Sequence, residues 1–115
     1  MEPDAKRTAE TDLVGRVFPL ADLIGYQEAA VVSRTLVKKP TGTVTLFAFD
    51  GGQELSEHTS PFDAMVQVLE GEVVVTISGK PQTLRAGEFV IMPANEPHAL
   101  KAAQRLKMLL VMIRS

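Results

Sequence analysis

Cysteine and tryptophan are absent from this 115-residue chain, and its aromatic residues are one tyrosine and five phenylalanines. Without cysteine there are no disulfides, no thiolate nucleophile and no cysteine-ligated zinc or iron–sulfur centre. So few aromatic rings leave little equipment for stacking on nucleic acid bases. Positive charge is not in excess either. Twelve Lys and Arg stand against 14 Asp and Glu, a net charge of −2, so nucleic acid is not an expected partner. The basic residues near the C-terminal end (Lys101, Arg105, Lys107, Arg114) are scattered along a hydrophobic strand pattern and read as a solvated edge. Long apolar runs are lacking too. The longest, MLLVMI, has the length of a buried strand and not of a membrane span. The charged opening MEPDAKRTAETDL lacks the apolar stretch of a secretory signal, so the expected compartment is the cytoplasm.

What is present is ordinary globular composition, 45% hydrophobic and 23% charged, in a length that suits one domain. Residues 1–24 read as an N-terminal arm, with one short helical turn in FPLADLIG, and residues 25–115 as a β domain. From there the punctuation is Gly and Pro at short intervals: KKPTG, DGG, Gly71, GKP and Ala86-Gly87 separate runs such as TVTLFAF, AMVQVLEG, EVVVTISG and KMLLVMI. The pattern predicts about nine short strands at the spacing of a sandwich or barrel, with no long 3.6-residue periodicity. EVVVTI and MLLVMI are too apolar for one wet face, which predicts burial on both faces or against another subunit.

The chain has two histidines. His58 follows Gly52 after five residues and precedes Gly71; His98 lies in GEFVIMPANEPHAL, behind Gly87 and Pro93. These offsets resemble the two signatures of the cupin family, G-x5-H-x-H-x3-E-x6-G and G-x5-P-x-G-x2-H-x3-N. The likeness covers roughly Gly42 to Ile113 and is similar in phrasing to the small single-domain bacterial cupins. The resemblance implies an all-β jelly-roll barrel in which four side chains converge on a divalent metal. It also implies a homodimer that buries a sheet face. Carried over by position, His58 and His98 match the first and last histidines. Ser60 stands at the second histidine, Ala64 at the carboxylate, Ala102 at the closing asparagine, and Asn95 at the glycine before the last histidine.

Two imidazoles are a poor cage for a metal. A catalytic divalent site takes three protein ligands and a solvent position, and non-haem iron takes two histidines and a carboxylate. Glu57, next to His58, leaves a strand by the opposite face, and Asp63 has the wrong parity relative to Ala64. Glu54 shares the parity of His58 but sits roughly 13 Å along the strand. Glu96, on a loop, is the least excluded. Any divalent transition metal is therefore expected to be weakly held at His58 and His98, or absent.

The small residues Ser60 and Ala64 instead predict emptied space at the barrel centre, to be filled by water or a small organic molecule. Its wall is expected from Val66, Val68 and Leu100, with Met65 or Met92 filling gaps. The candidate ligand-binding set is thus His58, Ser60, Ala64, Val66, Met92, His98 and Leu100. For Ser60 the plainer role is turn formation before Pro61. Three functions remain open on the sequence: a small-molecule-binding protein for a mostly apolar or weakly anionic ligand; a metal-dependent oxygenase or isomerase with water or substrate completing the coordination; and a structural subunit with a collapsed interior.

Overall fold

The computed structural model describes residues 13–114, and the first twelve residues expected in the arm lie outside them. A short 3₁₀ helix (Leu20–Leu23) precedes nine strands: β1 (Val31–Lys39), β2 (Gly42–Phe49), β3 (Glu54–His58), β4 (Asp63–Glu70), β5 (Glu72–Ile77), β6 (Lys80–Arg85), β7 (Phe89–Met92), β8 (His98–Lys101) and β9 (Leu106–Ile113). One sheet runs β1-β2-β9-β4-β7 and the other β3-β8-β5-β6, with antiparallel pairings throughout. The architecture is the expected jelly roll. No helix among the described residues is long and apolar enough to cross a membrane.

Side chains alternate across each strand, so every second residue of β4, β5 and β9 points between the sheets. Ala64, Val66 and Val68 of β4 meet Val73 and Val75 of β5 and Leu106 and Met108 of β9, joined by Phe49, Leu84, Met92 and Leu100. Each such Val, Leu, Met or Phe contributes about 1.5–3 kcal/mol by leaving water. Within the single chain β5 is buried on one face only: Val74 and Thr76 remain half-exposed on the outer side of the second sheet.

A second core lies on the outer face of the first sheet. Leu46 and Ala48 of β2 and Ile24 are buried there, with Leu20, Leu23, Tyr26, Leu69 and Leu109 packed around them. Polar bonds clamp the N-terminal segment onto this face. Tyr26 donates its hydroxyl to Glu70 Oε2 at 2.6 Å. Arg105 and Lys107 stand 4.9 and 5.2 Å from the centroid of its ring. Lys107 Nζ also donates to the Ala21 carbonyl at 2.8 Å, and Arg105 Nε to Asp50 Oδ1 at 3.1 Å. Burial, then the neighbouring Glu70 carboxylate, raise the tyrosine pKa, which Arg105 partly offsets. Asp50 also accepts the Ala29 amide at 2.7 Å; that bond, followed by Arg105 and the Gly51 amide, holds its carboxyl below the usual range. Lys107 is therefore not the solvated charge expected from sequence, and Arg105, though exposed, is paired with Asp50 and lies over the Tyr26 ring. Their charges face a ring and a carbonyl that are remote along the chain and invisible to local pattern.

Gly71, with φ +80°, turns β4 into β5, and a Cβ there would run into the Arg105 carbonyl oxygen. Gly79 has nearly the same φ, +82°, with open space beside it. Gly71→Ala is expected to lose clearly more stability than Gly79→Ala in urea unfolding, since only the latter's cost is confined to backbone strain of about 1–3 kcal/mol. Equal losses would show that the Arg105 carbonyl yields freely.

Candidate functional site

β3 and β8 are neighbours at one side of the second sheet, and His58 is the direct partner of His98 in their register. Leu55 pairs with Leu100, so three steps along β3 match two along β8: β3 carries a bulge of one extra residue. The bulge overturns the expected parity of Glu54. Glu54 pairs with Lys101 and lies with Ser56 and Glu57 on the outer surface, whereas Leu55 packs against the core and His58 turns towards His98.

The loop before β8 completes the juxtaposition. The Asn95 amide donates to the Ser60 carbonyl at 2.7 Å, tying the end of β3 to the approach to β8. Asn95 has φ +67°. It keeps the left-handed turn where the motif has glycine, and asparagine tolerates that region better than most residues. The Pro97 carbonyl accepts the Ser78 amide at 2.8 Å, fixing the loop just before His98.

Each ring is anchored in the same way, by the carbonyl two residues upstream. His58 Nδ1 lies 2.7 Å from Ser56 O, and His98 Nδ1 lies 3.2 Å from Glu96 O. A carbonyl only accepts, so each Nδ1 carries hydrogen, and in the neutral rings each Nε2 presents a lone pair. The two Nε2 atoms are 3.1 Å apart. The ring centroids are 4.3 Å apart with planes at 74°. An end-on meeting would add both ring radii to the nitrogen separation; the shorter centroid distance means the rings meet edge-on at a steep angle, with their Nε2 atoms in contact. His58 is exposed and His98 only 3% exposed, so the pair is approached from the His58 side. Burial first, then the neighbouring His58, lower the His98 pKa, outweighing the Glu96 carbonyl that raises it.

The other expected residues divide. Ala64, Val66 and Met92 on the first sheet and Leu100 on the second belong to one inter-sheet core, with Ala64 and Met92 paired in register. Val68 is in the same core. Met65 is not: it pairs with exposed Ile91 on the outer face. Ser60 lies in the loop after β3, where its Oγ accepts the Phe62 amide at 3.0 Å, the turn-forming bond anticipated for it. Asn95 and the bulge are the features that strand counting missed; the motif offset at Asn95 was the available signal for the first, and nothing in composition marks the second.

The donor set does not fit a resident metal. Among the described residues no group of three or more His, Asp and Glu side chains is placed to hold an ion. The nearby acids are engaged elsewhere: Glu96 accepts the Ser78 hydroxyl at 2.9 Å, and Asp63 accepts the Ala94 amide at 2.9 Å. Two imidazoles without an anion supply less than the three protein ligands such sites use.

A family model described as a cupin domain matches residues 45–113. Among solved structures, a conserved protein of unknown function from Streptococcus pyogenes is 37% identical with TM-score 0.84, over 88% of this chain and 89% of that one. A cupin superfamily protein from Desulfitobacterium hafniense is 31% identical with TM-score 0.83, over 88% and 93%. A cupin 2 conserved barrel domain protein from Leptotrichia buccalis is 41% identical with TM-score 0.82; 84% of this chain matches 47% of that longer one. No curated protein matches.

Two outcomes are expected of the pair. Protein mixed with zinc or manganese and then desalted should retain less than about a tenth of an equivalent of metal, because no preformed cage opposes its loss. On acidification, the unfolded chain takes up a proton at the ordinary histidine value of about 6.5 before buried His98 does, so His98 subtracts stability as pH falls through and below that value. Urea midpoints between pH 8 and pH 5.5 should therefore fall less in His98→Leu than in the wild type.

Proposed function

The chain belongs to the cupin domain family, and from that premise we propose that it binds a small organic molecule at the inter-sheet end of its barrel, oriented by His58 and His98. The observation that carries this reading is the 3.1 Å approach of two anchored Nε2 atoms beside an apolar core, with no third metal ligand in reach among the described residues. A small-molecule site of this kind combines mostly hydrophobic walls with a few polar atoms that set orientation. Ala64, Val66, Met92 and Leu100 back the pair from the closed core, each at most 2% exposed, so a ligand meets the histidines from the exposed His58 side. The reading favours binding over metal-dependent oxidation or isomerisation, for which the ligand set is short. A cytoplasmic setting accords with the cysteine-free composition.

The same reading includes a homodimer. Val37, Val44, Val111, Met65 and Ile91 fall in one register row across all five strands of the first sheet, on its outer face. The row spans about 19 Å at ordinary strand spacing. Phe89, Ile91 and Ile113 are 59, 56 and 61% exposed. An apolar stripe of this extent suits a second copy of the same face, related by a two-fold axis.

Thermal-shift screening against metabolites tests the first part. A ligand at 100 times its dissociation constant adds about 2.7 kcal/mol to the folded state, and that stabilisation should be lost in His58→Ala. A library without a single stabilising compound, or full stabilisation in the variant, would count against the reading. Light scattering tests the second. The wild type should have twice the chain mass at micromolar concentration and Ile91→Lys the single-chain mass, with its fold retained by circular dichroism.

A further inference from the structure

We propose that the ligand is recognised by a neutral hydroxyl, alcoholic or phenolic, whose hydrogen is shared by Nε2 of His58 and Nε2 of His98. This rests on the small-molecule reading above and specifies its chemistry. The carbonyls of Ser56 and Glu96 fix both rings as Nδ1–H tautomers. The ring atoms left in contact are therefore two acceptors, 3.1 Å apart, and neither satisfies the other. One of them belongs to His98, a side chain almost wholly buried, where an acceptor without a donor is costly. The free energy of binding is greatest for a group that brings the missing hydrogen.

The surroundings narrow the donor further. A carboxylate would add negative charge to two lone pairs and bring no hydrogen. An ammonium would need an anion, yet Glu96 and Asp63 are bonded to Ser78 and to the Ala94 amide, and the wall is apolar. A hydroxyl carries the hydrogen without either penalty, and the rest of the ligand lies on the exposed His58 side, because the core residues behind the pair are at most 2% exposed. Of the mostly apolar or weakly anionic ligands expected from sequence, the hydroxyl reading favours the apolar class.

Three probes of one size separate the possibilities: phenol, anisole and benzoate, each titrated at pH 8 into ¹⁵N-histidine-labelled full-length protein. The ring nitrogens first report the tautomers, and both residues should be Nδ1–H with bare Nε2. Phenol should then bind about tenfold or more tightly than anisole, the size of effect expected when a buried acceptor is satisfied or left alone. Benzoate should bind no better than anisole. In His58→Phe, a change at an exposed side chain, the preference for phenol should shrink. An Nε2–H tautomer in either ring, equal binding of phenol and anisole, tighter benzoate, or an undiminished preference in the variant would overturn the hydroxyl assignment and leave small-molecule binding standing. Failure of all three probes to bind the wild type would remove the binding reading itself, and this inference with it.

Discussion

The pairing of β3 with β8, one residue out of step, is the constraint on which the rest of the site depends. Were Leu55 to His58 paired in regular alternation with no bulge, Glu57 would turn inward and His58 out to solvent. A carboxylate would then lie against the apolar side of the barrel, where its charge would have to be neutralised or paired. The bulge is held at its far end by the Asn95 amide on the Ser60 carbonyl. Register, loop and histidine geometry are thus one device, not three.

The two sheets are asymmetric in what they face. The second sheet supplies both histidines and keeps a mixed outer surface around Val74, Thr76 and Ala99. The first sheet supplies the apolar wall inside, and outside it carries the N-terminal segment over Leu46 and Ala48 beside a bare hydrophobic row. This division is economical for a short chain. Covering one half of the outer face with its own residues leaves the other half as an apolar surface whose removal from water would favour association.

Much of the fold was legible because its signals are local. Gly and Pro punctuation, alternation in TVTLFAF and the apolar runs near 73 and 110 mark strands wherever they stand. The meeting of His58 and His98 was legible only through motif offsets, since the 40 residues between them say nothing about register. Parity failed at Glu54, where counting in twos assumes no bulge; at Met65 it holds, since alternation with buried Ala64 and Val66 sends that residue outward and away from the wall expected of it. The role of Arg105 and Lys107 was hidden for a different reason. Their partners, Asp50, Tyr26 and the Ala21 carbonyl, lie 55 to 86 positions away, and scattered charge on a strand looks the same whether or not such a partner exists.

Tyr26 is the chain's only tyrosine, and there is no tryptophan. All near-ultraviolet emission above the weak phenylalanine background therefore comes from a single ring, hydrogen-bonded to a carboxylate and flanked by two cations. A phenol bonded to a carboxylate loses its excited-state proton readily and emits weakly. Release of the N-terminal segment would free the ring and brighten it, so the molecule carries an intrinsic optical gauge of whether that segment is docked.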